Sequence, residues 1–131
     1  MLSSPSVLVV DDDVGMVDTL VDILSARRYR VETAHSGDAA VAMVRRMPYD
    51  AVLMDIQMPG LNGVEALRQV KGLAPEISVI MMTAFTRDEL VEEARQATAV
   101  TVLPKPLDMD WVLTLLLRVI GPTAPGAPGG A

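Results

Sequence analysis

Cysteine is absent from this 131-residue sequence, and histidine, tryptophan and phenylalanine occur once each, as His35, Trp111 and Phe85. Without cysteine there is neither a disulfide framework nor a thiolate metal site. Long apolar runs are also missing. The longest fall well short of the roughly 20 residues a membrane helix requires, and the opening Met1-Leu2-Ser3-Ser4-Pro5-Ser6 has no basic leader region. The expectation is a cytoplasmic protein with no membrane partner. Positive charge is in the minority, 11 Lys and Arg against 17 Asp and Glu for a net charge of −6, which argues against a nucleic-acid surface on this domain.

What is present is a regular alternation of short apolar runs with segments of helical period, the pattern of successive β-α units on a parallel sheet. Strands are expected at about Val7 to Val10, Arg30 to Ala34, Ala51 to Met54, Ile77 to Met82 and Val100 to Leu103. The first, third and fourth are nearly continuous apolar runs, as strands covered on both faces should be; the second alternates and reads as an edge. The first helix carries the stripe Val14, Val17, Val21 and Leu24. The second carries Ala40, Met43, Val44 and Met47, with Ser36 as N-cap and Pro48 as its stop. Three more are expected from about Val64 to Leu73, Arg87 to Gln96 and Met109 to Ile120. Residues 1–120 are thus expected to form one α/β domain. Residues 121–131, only Gly, Pro, Thr and Ala, read as a linker or tail.

Ligands of such a sheet bind beyond the carboxyl ends of its strands. Asp11-Asp12-Asp13 follows the first apolar run and Asp55 the third, while Thr83 closes the fourth and Lys105 follows the fifth. Clustered carboxylates oppose one another's ionisation unless a cation lies among them. With oxygen donors, no cysteine and one distant histidine, Mg²⁺ or Mn²⁺ is favoured over zinc. A metal held by carboxylates, a hydroxyl donor and an ammonium together describe a phosphoryl site, with one carboxylate available as nucleophile.

Four segments carry a resemblance that covers about residues 6 to 120: Val9-Val10-Asp11-Asp12-Asp13, Val52-Leu53-Met54-Asp55-Ile56-Gln57-Met58-Pro59-Gly60, Met82-Thr83-Ala84 and Leu103-Pro104-Lys105-Pro106. In this order and spacing the chain resembles the receiver domains of two-component response regulators. The resemblance implies a flavodoxin-like, doubly wound five-stranded parallel sheet of order 2-1-3-4-5 with five helices. It also implies that Asp55 accepts a phosphoryl group from a phosphohistidine of a sensor histidine kinase or phosphotransfer protein. Asp12, Asp55 and the backbone carbonyl of Gln57 would bind Mg²⁺, for which Mn²⁺ could substitute, with Asp11 helping directly or through water. Lys105 would pair with a phosphoryl oxygen, Thr83 would move to hydrogen-bond another, and the Lys105-Pro106 peptide would be cis. Ala84 would leave the phosphoryl site open.

The sequence departs from the family pattern at several points. Val102 stands where an aromatic commonly turns inward as the threonine moves, and a valine has no ring to swing. Thr98 stands where the family usually has glycine, and Val100 and Thr101 where it has acidic residues. Phe85 either takes part in gating or packs in its loop on the fourth helix. Asp13 is either a third acidic pocket member or a favourable charge at a helix start. His35 reads as a surface loop residue, and the nine methionines as core filler. On the last helix Met109, Val112, Leu113, Leu116, Leu117 and Ile120 are expected in the core, with Trp111, Leu115 and Val119 on the other flank. Trp111 there is either the anchor of a homodimer or output face, or a side chain packed beside its neighbours.

Two other function classes fit parts of this pattern. A receiver-like interaction module that takes no phosphate would show a broken acceptor, metal or lysine position, and none is broken. A Mg²⁺-dependent phosphohydrolase with an N-terminal aspartate nucleophile matches Asp11-Asp12-Asp13-Val14-Gly15 loosely. That class is disfavoured, because the sequence shows no cap domain, lacks the usual threonine after the second aspartate and would leave Asp55 unexplained.

Overall fold

The structure, a computed structural model, describes residues 4–121. Five β-α units follow one another: β1 (Ser6–Val10), α1 (Val14–Ala26), β2 (Arg30–Ala34), α2 (Gly37–Arg46), β3 (Ala51–Asp55), α3 (Gly63–Leu73), β4 (Ser78–Thr83), α4 (Glu89–Gln96), β5 (Thr101–Pro104) and α5 (Met109–Ile120). The strands are parallel and lie in the order β2-β1-β3-β4-β5, as the resemblance implied. Alternation along the three central strands sends side chains to two cores. Leu8, Val10, Val52, Met54, Val79 and Met81 meet α2, α3 and α4 on one face. Val7, Val9, Ala51, Leu53, Ile80 and Met82 meet α1 and α5 on the other. Continuous apolar runs are therefore required in β1, β3 and β4. The alternating β2 lies at the edge.

Helix starts are set by short polar side chains. Asp13, Ser36, Asn62, Asp88 and Asp108 each occupy an extended N-cap position and accept a backbone N–H of the following first turn. Asp88 places the start of α4 at Glu89, two residues later than its apolar period suggests. Pro48 ends α2 as expected, with Met47 held extended before it. The β3 and β4 ladders run one residue further than their apolar runs and take in Asp55 and Thr83. Gly121 caps α5, its N–H donating to the Leu117 carbonyl. The rest of the expected linker, 122–131, lies outside the described residues.

Several expected core positions are corrected. Val14 opens α1 on its solvent side, and the buried stripe is Val17, Leu20 and Leu24. Met47 is likewise exposed, because it has left the helix. In α5, Leu115 is buried with Val112 and Leu116 on the sheet face shared with α1, and a stripe centred there turns Leu117 outward.

Thr98, in the turn between α4 and β5, has φ of 70°. A β-branched residue in the left-handed region costs about 1–2 kcal/mol, partly offset on replacement by the extra unfolded-state entropy of glycine. Thr98→Gly is therefore expected to stabilise the fold by about 0.5–1 kcal/mol. This would be read as a higher urea midpoint at unchanged slope; an unchanged or lower midpoint would contradict the strain.

Candidate functional site

At the carboxyl edge of the sheet, β1, β3, β4 and β5 deliver their chemistry to adjacent positions. Asp11 follows β1 and has no exposed surface; Asp55 ends β3 with 5% exposed; Thr83 ends β4 with none. Asp11, Asp12 and Asp55 each place a carboxylate oxygen within 4.8 Å of the others. Lys105 reaches across from the loop after β5, its Nζ 2.7 Å from Asp11 Oδ2 and 3.4 Å from Asp55 Oδ2. The cation that the acidic cluster calls for is thus supplied in part by the chain itself. Lys105 is held by its backbone N–H donating to the Thr83 carbonyl at 2.8 Å, and the Lys105-Pro106 peptide is cis.

The protonation balance follows from burial. Desolvation is the main reason that the Asp55 carboxyl lies above its ordinary value of 3.8, and the neighbouring Asp11 charge adds to it. Lys105 and a hydrogen bond from the Gln57 backbone pull the other way. For Lys105, burial works against the ammonium. The hydrogen bond to Asp11 and the charges of Asp55 and Asp11 outweigh it and raise the pKa above the usual lysine value.

The other sequence-derived candidates separate clearly. Asp13 lies outside the three-carboxylate cluster: its side chain accepts from Met16 N as the cap of α1, and its own N–H donates to Asp11 Oδ1 at 2.9 Å. His35 is exposed, with Nδ1 3.2 Å from the Asp11 carbonyl. Phe85 is 61% exposed, and its backbone N–H donates to Thr83 Oγ1. Val102 is half-buried against the face covered by α2, α3 and α4. Trp111 is 41% exposed, with the Arg118 guanidinium 5.1 Å from its ring centroid. Because Leu115 is buried, the expected second apolar stripe of Trp111, Leu115 and Val119 is not a continuous exposed face.

Sequence reading missed two side-chain roles. Gln57, anticipated only through its backbone carbonyl, accepts from the Thr83 hydroxyl at 2.8 Å and donates to Asp88 Oδ2 at 3.2 Å. Asp88 is the other, and its signal in the sequence is an aspartate just ahead of a helical run.

At the carboxyl edge of a doubly wound α/β sheet the chain thus gathers three aspartates, a lysine and a buried threonine, and no helix among the described residues is long and apolar enough to cross a membrane. The profile of the family described as response regulator receiver domain matches residues 7–117. The chain belongs to this family, whose members are signalling domains of two-component systems and interact with histidine kinases or phosphotransfer proteins. It is 39% identical over 117 residues to the transcriptional regulatory protein ZraR of Salmonella typhimurium, covering 89% of this chain and 26% of that one. The chain therefore spans about a quarter of the length of that relative. It is 31% identical over 111 residues to sporulation initiation phosphotransferase F of Bacillus subtilis, covering 85% of this chain and 90% of that protein. Among solved structures, a chain of the CheX-CheY-BeF3-Mg+2 complex from Borrelia burgdorferi superposes with a TM-score of 0.81 at 31% identity, over 88% of each chain.

Proposed function

We propose that this domain is a cytoplasmic phosphorelay receiver in which Asp55 takes a phosphoryl group from a phosphohistidine of a sensor histidine kinase or phosphotransfer protein. The observation that carries the reading is the sharing of Lys105 by Asp11 and Asp55 beside a third carboxylate within 4.8 Å. An all-oxygen donor set of this kind suits a hard divalent ion. Asp11, Asp12, Asp55 and the backbone carbonyl of Gln57 would hold Mg²⁺, or Mn²⁺ in its place; when bound, it neutralises charge on the phosphoryl oxygens.

In the transfer, a carboxylate oxygen of Asp55 forms the new O–P bond as the N–P bond of the donor breaks, and the donor imidazole leaves with the electron pair. Lys105 already lies beside the Asp55 carboxylate, so its ammonium can follow the negative charge onto the transferred group. The Thr83 hydroxyl can donate a hydrogen bond to a phosphoryl oxygen. The aspartyl phosphate then alters the surface formed by α4, β5 and α5. A domain that merely binds partners without phosphate has no need for this acceptor, carboxylate and lysine set.

Incubation with acetyl phosphate, followed by intact and peptide mass spectrometry, tests the reading. One phosphoryl group is expected on Asp55 in the presence of Mg²⁺, with none when Mg²⁺ is chelated and none in Asp55→Asn. Failure to label under conditions that label a control receiver would overturn the proposal in favour of a phosphate-independent module.

A further inference from the structure

The Gln57 side chain lies between the proposed phosphoryl site and α4, and its orientation is dictated by its neighbours. Asp88 Oδ2 can only accept, so the Gln57 amide group facing it at 3.2 Å is the NH₂. Its oxygen therefore faces Thr83, which must donate across the 2.8 Å contact. The hydroxyl oxygen of Thr83 also accepts the Phe85 N–H at 2.9 Å. A hydroxyl has one proton, and in this arrangement it is committed to Gln57. A phosphoryl oxygen likewise only accepts, so Thr83 cannot serve both.

The far end of this chain is a helix cap. Asp88 uses its second oxygen, Oδ1, to accept the Leu90 N–H at 2.9 Å. The helix it caps is the shortest of the five, at 8 residues, and among them only Val91 and Ala94 are buried. A short helix with little buried surface depends on its cap more than a long one does.

We propose that Gln57 is a positioning residue that holds the Thr83 hydroxyl off the acceptor site and ties it to Asp88, so that modification of Asp55 releases the first turn of α4. The proposal rests on the phosphoacceptor reading of Asp55. Redirection of the Thr83 O–H hydrogen bond from Gln57 to a phosphoryl oxygen leaves the Gln57 oxygen without its donor, and the freed amide no longer orients Asp88. The relay runs along the β3-α3 and β4-α4 loops and needs no aromatic at Val102.

Amide hydrogen exchange by NMR on the full chain, with Mg²⁺ and with or without beryllium trifluoride, tests it, with the bound ¹⁹F signal reporting occupancy. In the wild type, exchange at Leu90 and Val91 is expected to rise at least tenfold on occupancy. In Asp88→Ser, which keeps one oxygen for the cap and has no atom at the Oδ2 position that faces Gln57, and in Gln57→Leu, which leaves Asp88 in place, the rise is expected to stay under twofold. A tenfold rise in either variant that shows the bound signal overturns the relay. So does faster exchange along all of α4 in the free variants, which would make the pair a simple support. No bound signal in the wild type overturns the Asp55 reading and the relay with it.

Discussion

Replacing Gly63 with alanine is expected to lower stability by about 3 kcal/mol and thermal midpoint by roughly 10 °C. Gly63 opens α3 and its N–H donates to the Ile56 carbonyl at 2.8 Å. An added Cβ would stand 2.8 Å from Ile56 Cα and 3.0 Å from the Asp55 carbonyl carbon, and closer still to the Asp55 carbonyl oxygen. These are backbone atoms of a central strand and the turn leaving it, so no side-chain rotation relieves the clash. The displaced backbone belongs to the proposed phosphoacceptor, so acetyl phosphate labelling should fall along with stability. Gly72, in the same helix, has open space where its Cβ would be. Gly72→Ala should therefore be neutral or stabilising by up to about 1 kcal/mol. Paired thermal unfolding of the two variants separates a local steric effect from a general intolerance of α3, which would destabilise both.

Lys105→Met is expected to cost about 2–3 kcal/mol near pH 8 with divalent ions chelated. Removing one partner of a buried ion pair leaves uncompensated charge; the value is set at the low end because the Lys105 side chain is 18% exposed and water screens part of the loss. Asp11 keeps its bond from the Asp13 N–H, whereas Asp55 loses the ammonium that opposes its desolvation. The sign of the pH dependence follows. Asp55 already has a raised pKa in the fold, and without Lys105 it rises further. A group that binds its proton more tightly when folded favours the fold below its ordinary pKa and loses that contribution as pH rises through the folded value. The deficit of the variant should accordingly shrink from pH 8 toward pH 5. Urea unfolding of both proteins at the two pH values checks this; a deficit that grows on acidification would mean that Lys105 does not offset Asp55.

Most of the architecture was legible because its determinants are local. Five apolar runs, helical stripes at Ala40 to Val44 and Val112 to Leu116, and Ser36 and Pro48 as start and stop act within a few residues of where they stand. The site residues could be named for a similar reason: each directly ends or follows an apolar run, and a parallel sheet brings those ends to one edge. The errors arose where a position has two credible environments. Val14 and Leu117 are as apolar as their buried neighbours, and only the docking of a helix on its sheet face decides which way each turns.

By itself, then, the sequence determined the α/β class, the edge character of β2 and the identities of the acidic residues, threonine and lysine, since these depend on period and adjacency along the chain. Tertiary structure alone decided that Lys105 bridges Asp11 and Asp55, that Asp13 is a cap outside the carboxylate cluster, and that Gln57 joins Thr83 to Asp88. Lys105 and Asp11 are 94 residues apart, and Thr83 and Gln57 are 26 apart. Contacts of that separation form only when the strands that carry them are laid side by side in register, and no local pattern encodes which hydroxyl, amide or carboxylate will then be within hydrogen-bond reach.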